Sequence, residues 1–279
     1  MRELPEVETI RRELDKEVSG KRIKTVEIHT TMSAFPRHPT KKHFTGRLEG
    51  AKVKGVARRG LLVLVNLDTP DTLVFDPGSG GWAQKVAAKD EVTKATLASV
   101  TFTQGGQLRF LDSSGTATLS VVPTDDLETE LPQLAGLGLD PVETPVSWTV
   151  FAEMLRGQKM KLKSFLLDQT ILVGLGDLYA DEILFAAGLR PDREAGSLTT
   201  QEIRRLYRSL VETLHDAIKY RGTSLDGDGF VDLAGKPGEY QHHLKVYDLE
   251  KDACRRCRMP IVKLRAGGLT TYLCEQCQV

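Results

Sequence analysis

The chain has 279 residues, with 38 basic and 38 acidic side chains and so no formal net charge at neutral pH. Its 40% hydrophobic content is ample for buried cores in two compact units and a small extra module, and no apolar run approaches the roughly 20 residues that a bilayer span needs. A neutral total is weak evidence against nucleic-acid binding, for which a basic excess is usual, and with no charged-then-apolar N-terminal pattern the chain is expected in the cytoplasm, or with the nucleoid if bacterial.

The first predicted element is a helix over Pro5–Val18, where Val7, Ile10, Leu14 and Val18 recur at helical spacing and proline sits in the first turn. Short strands follow at Ile23–His29, Val53–Val56, Leu61–Leu67, Thr72–Phe75, Leu97–Phe102, Gln107–Leu111 and Thr116–Val121, several of them β-branched and bounded by Gly, Asp or Pro. Such spacing predicts a sandwich or barrel. Pro123–Pro145 is acidic and punctuated by proline, which marks a linker. Beyond it, Thr149–Arg156, Lys163–Leu172, Leu178–Ala187 and Thr200–Tyr220 have helical patterns, the last opened by Thr199-Thr200-Gln201-Glu202, a cap followed by an early acid. The expected class is α+β multidomain: a leading helix and β-sandwich over 1–122, an acidic linker over 123–148, a helical domain over 149–240 and a terminal module over 241–279.

Charge is segregated along this layout. Residues 121–150 hold Asp125, Asp126, Glu128, Glu130, Asp140 and Glu143 with no base, whereas Arg156, Lys159, Lys161 and Lys163 follow one another with no acid between them. Between the second and third helices of the helical domain stands Gly174-Leu175-Gly176-Asp177-Leu178-Tyr179. Its glycines allow a sharp turn that leaves helix N-terminal amides free for an anion, or simply a tight helix–helix connection.

The terminal module holds the chain's four cysteines, as Cys254-x2-Cys257 and Cys274-x2-Cys277. Two CxxC knuckles on a hairpin turn four thiolates toward one tetrahedral ion, the pattern of a structural zinc site. The alternatives are two disulfides or four unrelated thiols, and the lack of a secretory pattern and of any spare cysteine weighs against both. Arg255, Arg256, Arg258, Lys263 and Arg265, with no acid among them, give this hairpin a cationic surface suited to a phosphate backbone.

Met1-Arg2-Glu3-Leu4-Pro5-Glu6-Val7-Glu8-Thr9-Ile10, the stretch from Leu166-Leu167-Asp168-Gln169 through Gly174-Leu175-Gly176-Asp177-Leu178-Tyr179-Ala180-Asp181-Glu182, Gly235-Lys236-Pro237-Gly238 and the cysteine ribbon together resemble the formamidopyrimidine DNA glycosylase and endonuclease VIII family. The resemblance runs end to end. It implies an N-terminal β-sandwich, a helix-two-turn-helix domain, a ribbon with one structural Zn2+, and double-stranded DNA, damaged or distorted, held by a monomer in a cleft between the halves. The family's reaction needs a proline amine at the second coded position, which attacks C1′ of the damaged nucleotide and forms a Schiff base. This chain has Arg2 there, so covalent catalysis is in doubt at its first atom.

Further departures share that theme. The family lysine after Arg-Arg-Gly is replaced by Leu61, following Arg58-Arg59-Gly60. Its His-Leu-Gly-Met-Thr-Gly loop, whose methionine fills the gap left by a flipped base, corresponds to Asp76-Pro77-Gly78-Ser79-Gly80-Gly81. The companion arginine and phenylalanine fall near Ser114 and Thr116, so the wedges that hold an extruded lesion are lost. A phosphate-binding asparagine becomes Asp177, and the ribbon arginine becomes Leu269.

What remains is a candidate acid, Glu3, able to activate water or simply to charge the first helix turn favourably. The candidate DNA-contacting set implied by the resemblance is Arg58, Arg59, Lys159, Lys163, Asp177, Tyr179, Tyr247 and Lys263, with a solvated face as the alternative for its basic members. Gly222–Phe230 corresponds to a mobile lesion-covering loop. The favoured expectation is a DNA-binding member of the family with its bifunctional glycosylase and lyase activity lost or altered. A monofunctional glycosylase for bulky lesions using Glu3, and a protein-binding scaffold, are the alternatives.

Overall fold

The structure is a computed structural model that describes residues 2–225, 230–266 and 268–279. Contacts divide the chain into two compact units that do not follow chain order: Met1–Ala135 with Tyr220–Gln241, and Gly136–Lys219 with His242–Val279.

The first unit opens with α1 (Leu4–Val18), which buries Leu4, Val7, Ile10, Leu14 and Val18 along one stripe. Full burial of each is worth about 1.5–3 kcal/mol, so this face anchors the helix. Strands β1 (Ile23–Ile28), β6 (Thr96–Phe102), β7 (Gln107–Asp112) and β5 (Gly81–Val86) form one sheet in that spatial order; β2 (Val53–Arg59), β3 (Leu62–Leu67), β4 (Asp71–Asp76) and β8 (Thr118–Pro123) form the other, and all pairings are antiparallel. One core lies between them, with Phe75 of one sheet and Phe110 of the other 5.0 Å apart at their ring centroids. This is the expected sandwich.

Two elements of this unit were not expected. Gly81–Val86 follows a glycine cluster that reads as loop, yet it pairs along its length with β7. A short helix, α2 (Lys41–Thr45), is capped by Thr40, whose hydroxyl accepts the His43 N–H. The acidic stretch after β8 is also structured. It forms a 3-10 turn at Thr124–Asp126, α3 (Leu127–Glu130) and a second turn at Pro132–Leu134, pinned by the buried Leu131 and Leu134.

The second unit contains α4 (Trp148–Leu155), α5 (Leu162–Leu167), α6 (Asp177–Ala187), α7 (Thr200–Lys219) and the hairpin β9 (Val262–Ala266) and β10 (Leu269–Leu273). The helix expected over Lys163–Leu172 stops at Leu167, because the Asp168 carboxylate accepts the backbone N–H of Thr170 at 2.9 Å and its hydroxyl at 2.6 Å. That turn diverts the backbone. Gln169 then fastens the glycine turn, accepting the Gly174 N–H at 2.7 Å and donating to the Leu175 carbonyl at 2.9 Å. Helix α6 ends at Gly188 in the left-handed region, φ 66°, and Arg256 donates to the carbonyls of Phe185 and Ala186 at its C-terminus, where a cation suits the helix dipole.

Candidate functional site

The N-terminus of α1 gathers charged groups into the protein. Arg2 is only 2% exposed. Its backbone N–H donates to the Gly78 carbonyl at 3.1 Å, its Nε–H to the Gly81 carbonyl at 3.0 Å, and its guanidinium lies 4.9 Å from the centroid of the Phe230 ring. Glu3 caps α1 in a reciprocal box: its carboxylate accepts the Glu6 N–H, and Glu6 Oε2 accepts the Glu3 N–H at 3.1 Å. The other oxygen of Glu6 accepts the Thr223 N–H at 2.7 Å. One turn on, Glu8 takes Nε of the fully buried Arg58 at 3.1 Å, while that guanidinium also donates to the Gly60 carbonyl at 2.8 Å. Burial works to raise the Glu8 carboxyl, but Arg11, Arg12 and Arg58 outweigh it and hold it below the usual carboxylate range.

Two loops of the same unit meet beside this cluster. The Ser79 hydroxyl is 3.1 Å from that of Ser114 and 3.0 Å from that of Thr116, and the Ser79 N–H donates to Thr116 Oγ1 at 2.9 Å. The glycines are required by the fit. A Cβ on Gly80 would lie 2.6 Å from Ser114 Oγ, and one on Gly81 would lie 2.5 Å from the Pro77 carbonyl. The loop tips are thus small, hydroxylated and stapled together. Leu61, at the β2–β3 turn, packs against the hydrophobic core.

In the second unit, Lys163 leaves the solvent altogether. Its ammonium is 2.8 Å from Asp181, 3.0 Å from Asp177 and 2.5 Å from the Thr270 carbonyl. Asp181, fully buried, also accepts the Thr271 hydroxyl at 2.6 Å and the Tyr272 N–H at 2.8 Å. Burial pushes the Asp181 carboxyl up, and Lys163 opposes the shift. Next to it, Glu182 accepts backbone N–H groups of Lys245, Val246 and Tyr247 at 2.9–3.0 Å. These adjacent acids tie α6 to the hairpin and to the segment that precedes it.

The hairpin carries the metal centre. All four cysteine sulfurs lie within 4.8 Å of one another, with Cys254 and Cys277 at 3.8 Å and Cys257 and Cys274 at 3.3 Å. A tetrahedron with Zn–S bonds of about 2.3 Å has edges of about 3.8 Å, so the set fits one zinc ion. Phe185, Val246, Ile261 and Tyr272 pack around Cys254 and Cys274 and shield the site. Cys254, Cys257, Cys274 and Cys277 bind one structural zinc, and neither the disulfide nor the unrelated-thiol alternative fits this convergence.

Residues 1–119 match the profile of the formamidopyrimidine-DNA glycosylase N-terminal domain, residues 137–227 that of the formamidopyrimidine-DNA glycosylase H2TH domain, and residues 251–279 that of the zinc finger found in FPG and IleRS. The chain is 36% identical over 278 residues to the formamidopyrimidine-DNA glycosylase of Pelotomaculum thermopropionicum, covering 100% of this chain and 99% of that protein. The chain belongs to the formamidopyrimidine-DNA glycosylase family. Among solved structures, Lactococcus lactis Fpg in complex with abasic-site DNA superposes with a TM-score of 0.86 at 30% identity, covering 99% of both chains. MutM (Fpg) from Thermus thermophilus gives 0.85 at 34% identity, covering 99% of this chain and 98% of that one.

Against this family pattern, several candidate residues take positions that their sequence context hid. Arg58 and Lys163 are corrections: both were expected at a phosphate surface, and both are buried, neutralised by Glu8 and by Asp177 with Asp181. Tyr179 is likewise fully buried within α6. Tyr247 is half-buried, edge-on to Tyr272 with centroids 5.2 Å apart. Asp177 stays about half exposed at the start of α6, its charge offset by Lys163. Arg59, Lys159 and Lys263 remain on the surface, Arg59 beside Glu128 at 2.8 Å and Lys263 over the Tyr272 ring at 5.2 Å. Of the expected loop at 222–230, residues 226–229 lie outside the described residues, as do Met1 and Gly267. The buried acids Glu8 and Asp181 were missed as partners. Strand alternation held a signal for Arg58, which shares the inward phase of Val56 in β2.

Proposed function

We propose that this family member binds duplex DNA, damaged or distorted, with the usual glycosylase and lyase chemistry lost or strongly altered. One observation carries the proposal: the second coded residue is an arginine, whose bulk disfavours removal of Met1, so that its nitrogen stays a peptide N–H and donates to the Gly78 carbonyl at 3.1 Å. The Arg2 Nε–H is spent on the Gly81 carbonyl and its cationic face on Phe230. An attacking group must be a free amine within reach of the sugar, and a peptide nitrogen, its lone pair delocalised into the carbonyl, has none to offer. The hydroxyl-tipped loops support the same view, since none of Ser79, Ser114 and Thr116 has the bulk to fill the hole left by an extruded base.

Phosphate contact would fall to the basic groups that remain at the surface. Arg59 on the first unit, and Lys159, Lys263, Arg255, Arg258 and Arg265 on the second, are surface groups placed for it. Glu3 is occupied in capping α1, which favours its structural role over that of a water-activating acid.

The test combines two measurements on the purified protein. Duplexes carrying an oxidised purine, a ring-opened purine, an alkylated base or an abasic site are incubated with it, then treated with hot alkali, which breaks the strand at any abasic site the protein has made. In parallel, binding to the same duplexes is titrated against salt. No new breaks together with salt-sensitive binding is the expected result. Breaks abolished by Glu3→Gln would replace the proposal with hydrolytic base release, and the absence of binding to every duplex would refute DNA recognition itself.

A further inference from the structure

The acidic run after β8, where a linker is expected, forms turns and a short helix and groups with the first unit as far as Ala135. Leu131 and Leu134 are each 3% exposed, and α3 lies against β8. Its two glutamates then settle on two arginines from distant parts of the chain. Glu128 Oε1 lies 2.8 Å from a guanidinium nitrogen of Arg59, and Glu130 takes the Nε of Arg37 at 3.0 Å and offers its own carbonyl to the same guanidinium. Both arginines stand on rigid footings. Arg59 follows the buried Arg58 and precedes the turn at Gly60, and Arg37 lies between the buried Phe35 and His38 in a left-handed conformation, φ 73°.

We propose that Arg37 and Arg59 form a phosphodiester-binding patch that the acidic segment Thr124–Glu130 masks. A guanidinium fork accepts a phosphate as readily as a carboxylate, and with the same geometry. The four side chains of the two pairs are 36–66% exposed, so water and salt screen the pairs and an incoming phosphate meets little resistance. The glutamates therefore stand where backbone phosphates would, and DNA must displace them. Asp125 and Asp126 lie in the same segment, are exposed, and form no ion pair among the described residues.

The inference rests on the DNA-binding proposal, and the experiment separates the two. Binding of a 20-base-pair duplex is measured from about 50 to 200 mM salt for the wild type, for Glu128→Gln/Glu130→Gln, and for Asp125→Asn/Asp126→Asn, which changes net charge equally. Unmasking two arginines steepens the logarithmic salt slope by about 1.8, so the advantage of the glutamine variant over wild type shrinks about tenfold across that range. The asparagine variant stays at wild-type slope, and adding Arg37→Ala/Arg59→Ala to the glutamine variant abolishes the gain. Equal slopes in wild type and the glutamine variant, or an equal gain in the asparagine control, overturn the mask while leaving DNA binding intact. Binding by the glutamine variant alone supports the mask and restricts DNA recognition to the open state. Binding by neither protein removes both proposals.

Discussion

The zinc ribbon with its supporting helix and the N-terminal cluster of α1 solve the same physical problem with opposite relations to the family pattern. In each, charged groups are taken out of water and matched: Lys163 with Asp181 and Asp177 in one, Arg58 with Glu8 and Arg2 with Gly81 and Phe230 in the other. The ribbon retains its metal ligands. In the N-terminal cluster, Arg2 at the second coded position is buried and Leu61 after Arg58-Arg59-Gly60 packs against the core. A site under simple decay would be expected to accumulate gaps and poorly matched groups, whereas here Arg2 is seated, Leu61 joins the core and Ser79, Ser114 and Thr116 bond to one another. The replacements are absorbed into the fold.

The largest effect expected on this contrast comes from the metal. Zinc binding to small ribbons carries about 10–16 kcal/mol of apparent free energy, which is folding free energy for the segment it ties. Cys257→Ser or a strong chelator should therefore abolish hydrogen-exchange protection over β9 and β10, with zinc release measured by mass spectrometry. The β-sandwich should keep its protection. Loss of protection in both units together would show that the ribbon supports far more than its own hairpin.

Lys163→Met probes the helix beneath the ribbon. It leaves the fully buried Asp181 without its cation, a change worth about 3–5 kcal/mol. Burial already holds Asp181 above its unfolded value, so the folded state takes up a proton more readily than the unfolded one. Stability is consequently lost as pH rises through the folded pKa, and the deficit of the variant should shrink on acidification from pH 7 to 5. Urea midpoints at the two pH values check this. Asp181→Asn added to the variant should recover most of the loss, since an amide can remain buried without a cation.

In the first unit, His38 titrates in the other direction. His38 Nε2 accepts the Val121 N–H at 2.9 Å, and its Nδ1 is 3.0 Å from that of His43. Burial first, then His43, Arg47 and Arg37, push its pKa down to about 4 from 6.5. Between those values the unfolded chain holds the extra proton, so stability falls as pH drops from 6.5 toward 4, by about 3 kcal/mol in all. His38→Gln should flatten that slope in urea titrations, and an unchanged slope would place the acid sensitivity elsewhere.

The sequence made the fold legible where periodicity and burial coincide. Val7, Ile10, Leu14 and Val18 mark α1, and the paired CxxC knuckles mark the ribbon, because each pattern has one economical physical explanation. Strand β5 was obscured because Gly78, Gly80 and Gly81 look like loop, while their real constraint is the approach of the Ser114 loop, which lies far along the chain. The site was harder for a related reason. Lys163 reads as one more base in a basic run, and only the packing of α6 shows that Asp181 waits for it inside. Charge patterning reports sign but not side, so buried pairs such as Arg58 with Glu8 pass for surface residues until their partners are located.

The smallest expected effect is the one that decides what the N-terminal cluster still does. Glu3 either caps α1 or serves as an acid, and the two roles respond differently to the same substitutions. A cap needs only an acceptor for the Glu6 N–H, so Glu3→Gln should change stability by a few tenths of a kcal/mol, while Glu3→Ala, which removes the acceptor, should cost about 1 kcal/mol. An acid needs a proton or a negative charge, and glutamine supplies neither. Thermal melts of the two variants, set beside their yields of alkali-revealed breaks on ring-opened purine duplexes, separate the roles. Stability tracking acceptor loss with no change in breaks leaves Glu3 as part of the helix end. Breaks that vanish in both variants at nearly wild-type stability would return chemistry to a cluster whose other members have been built into the fold.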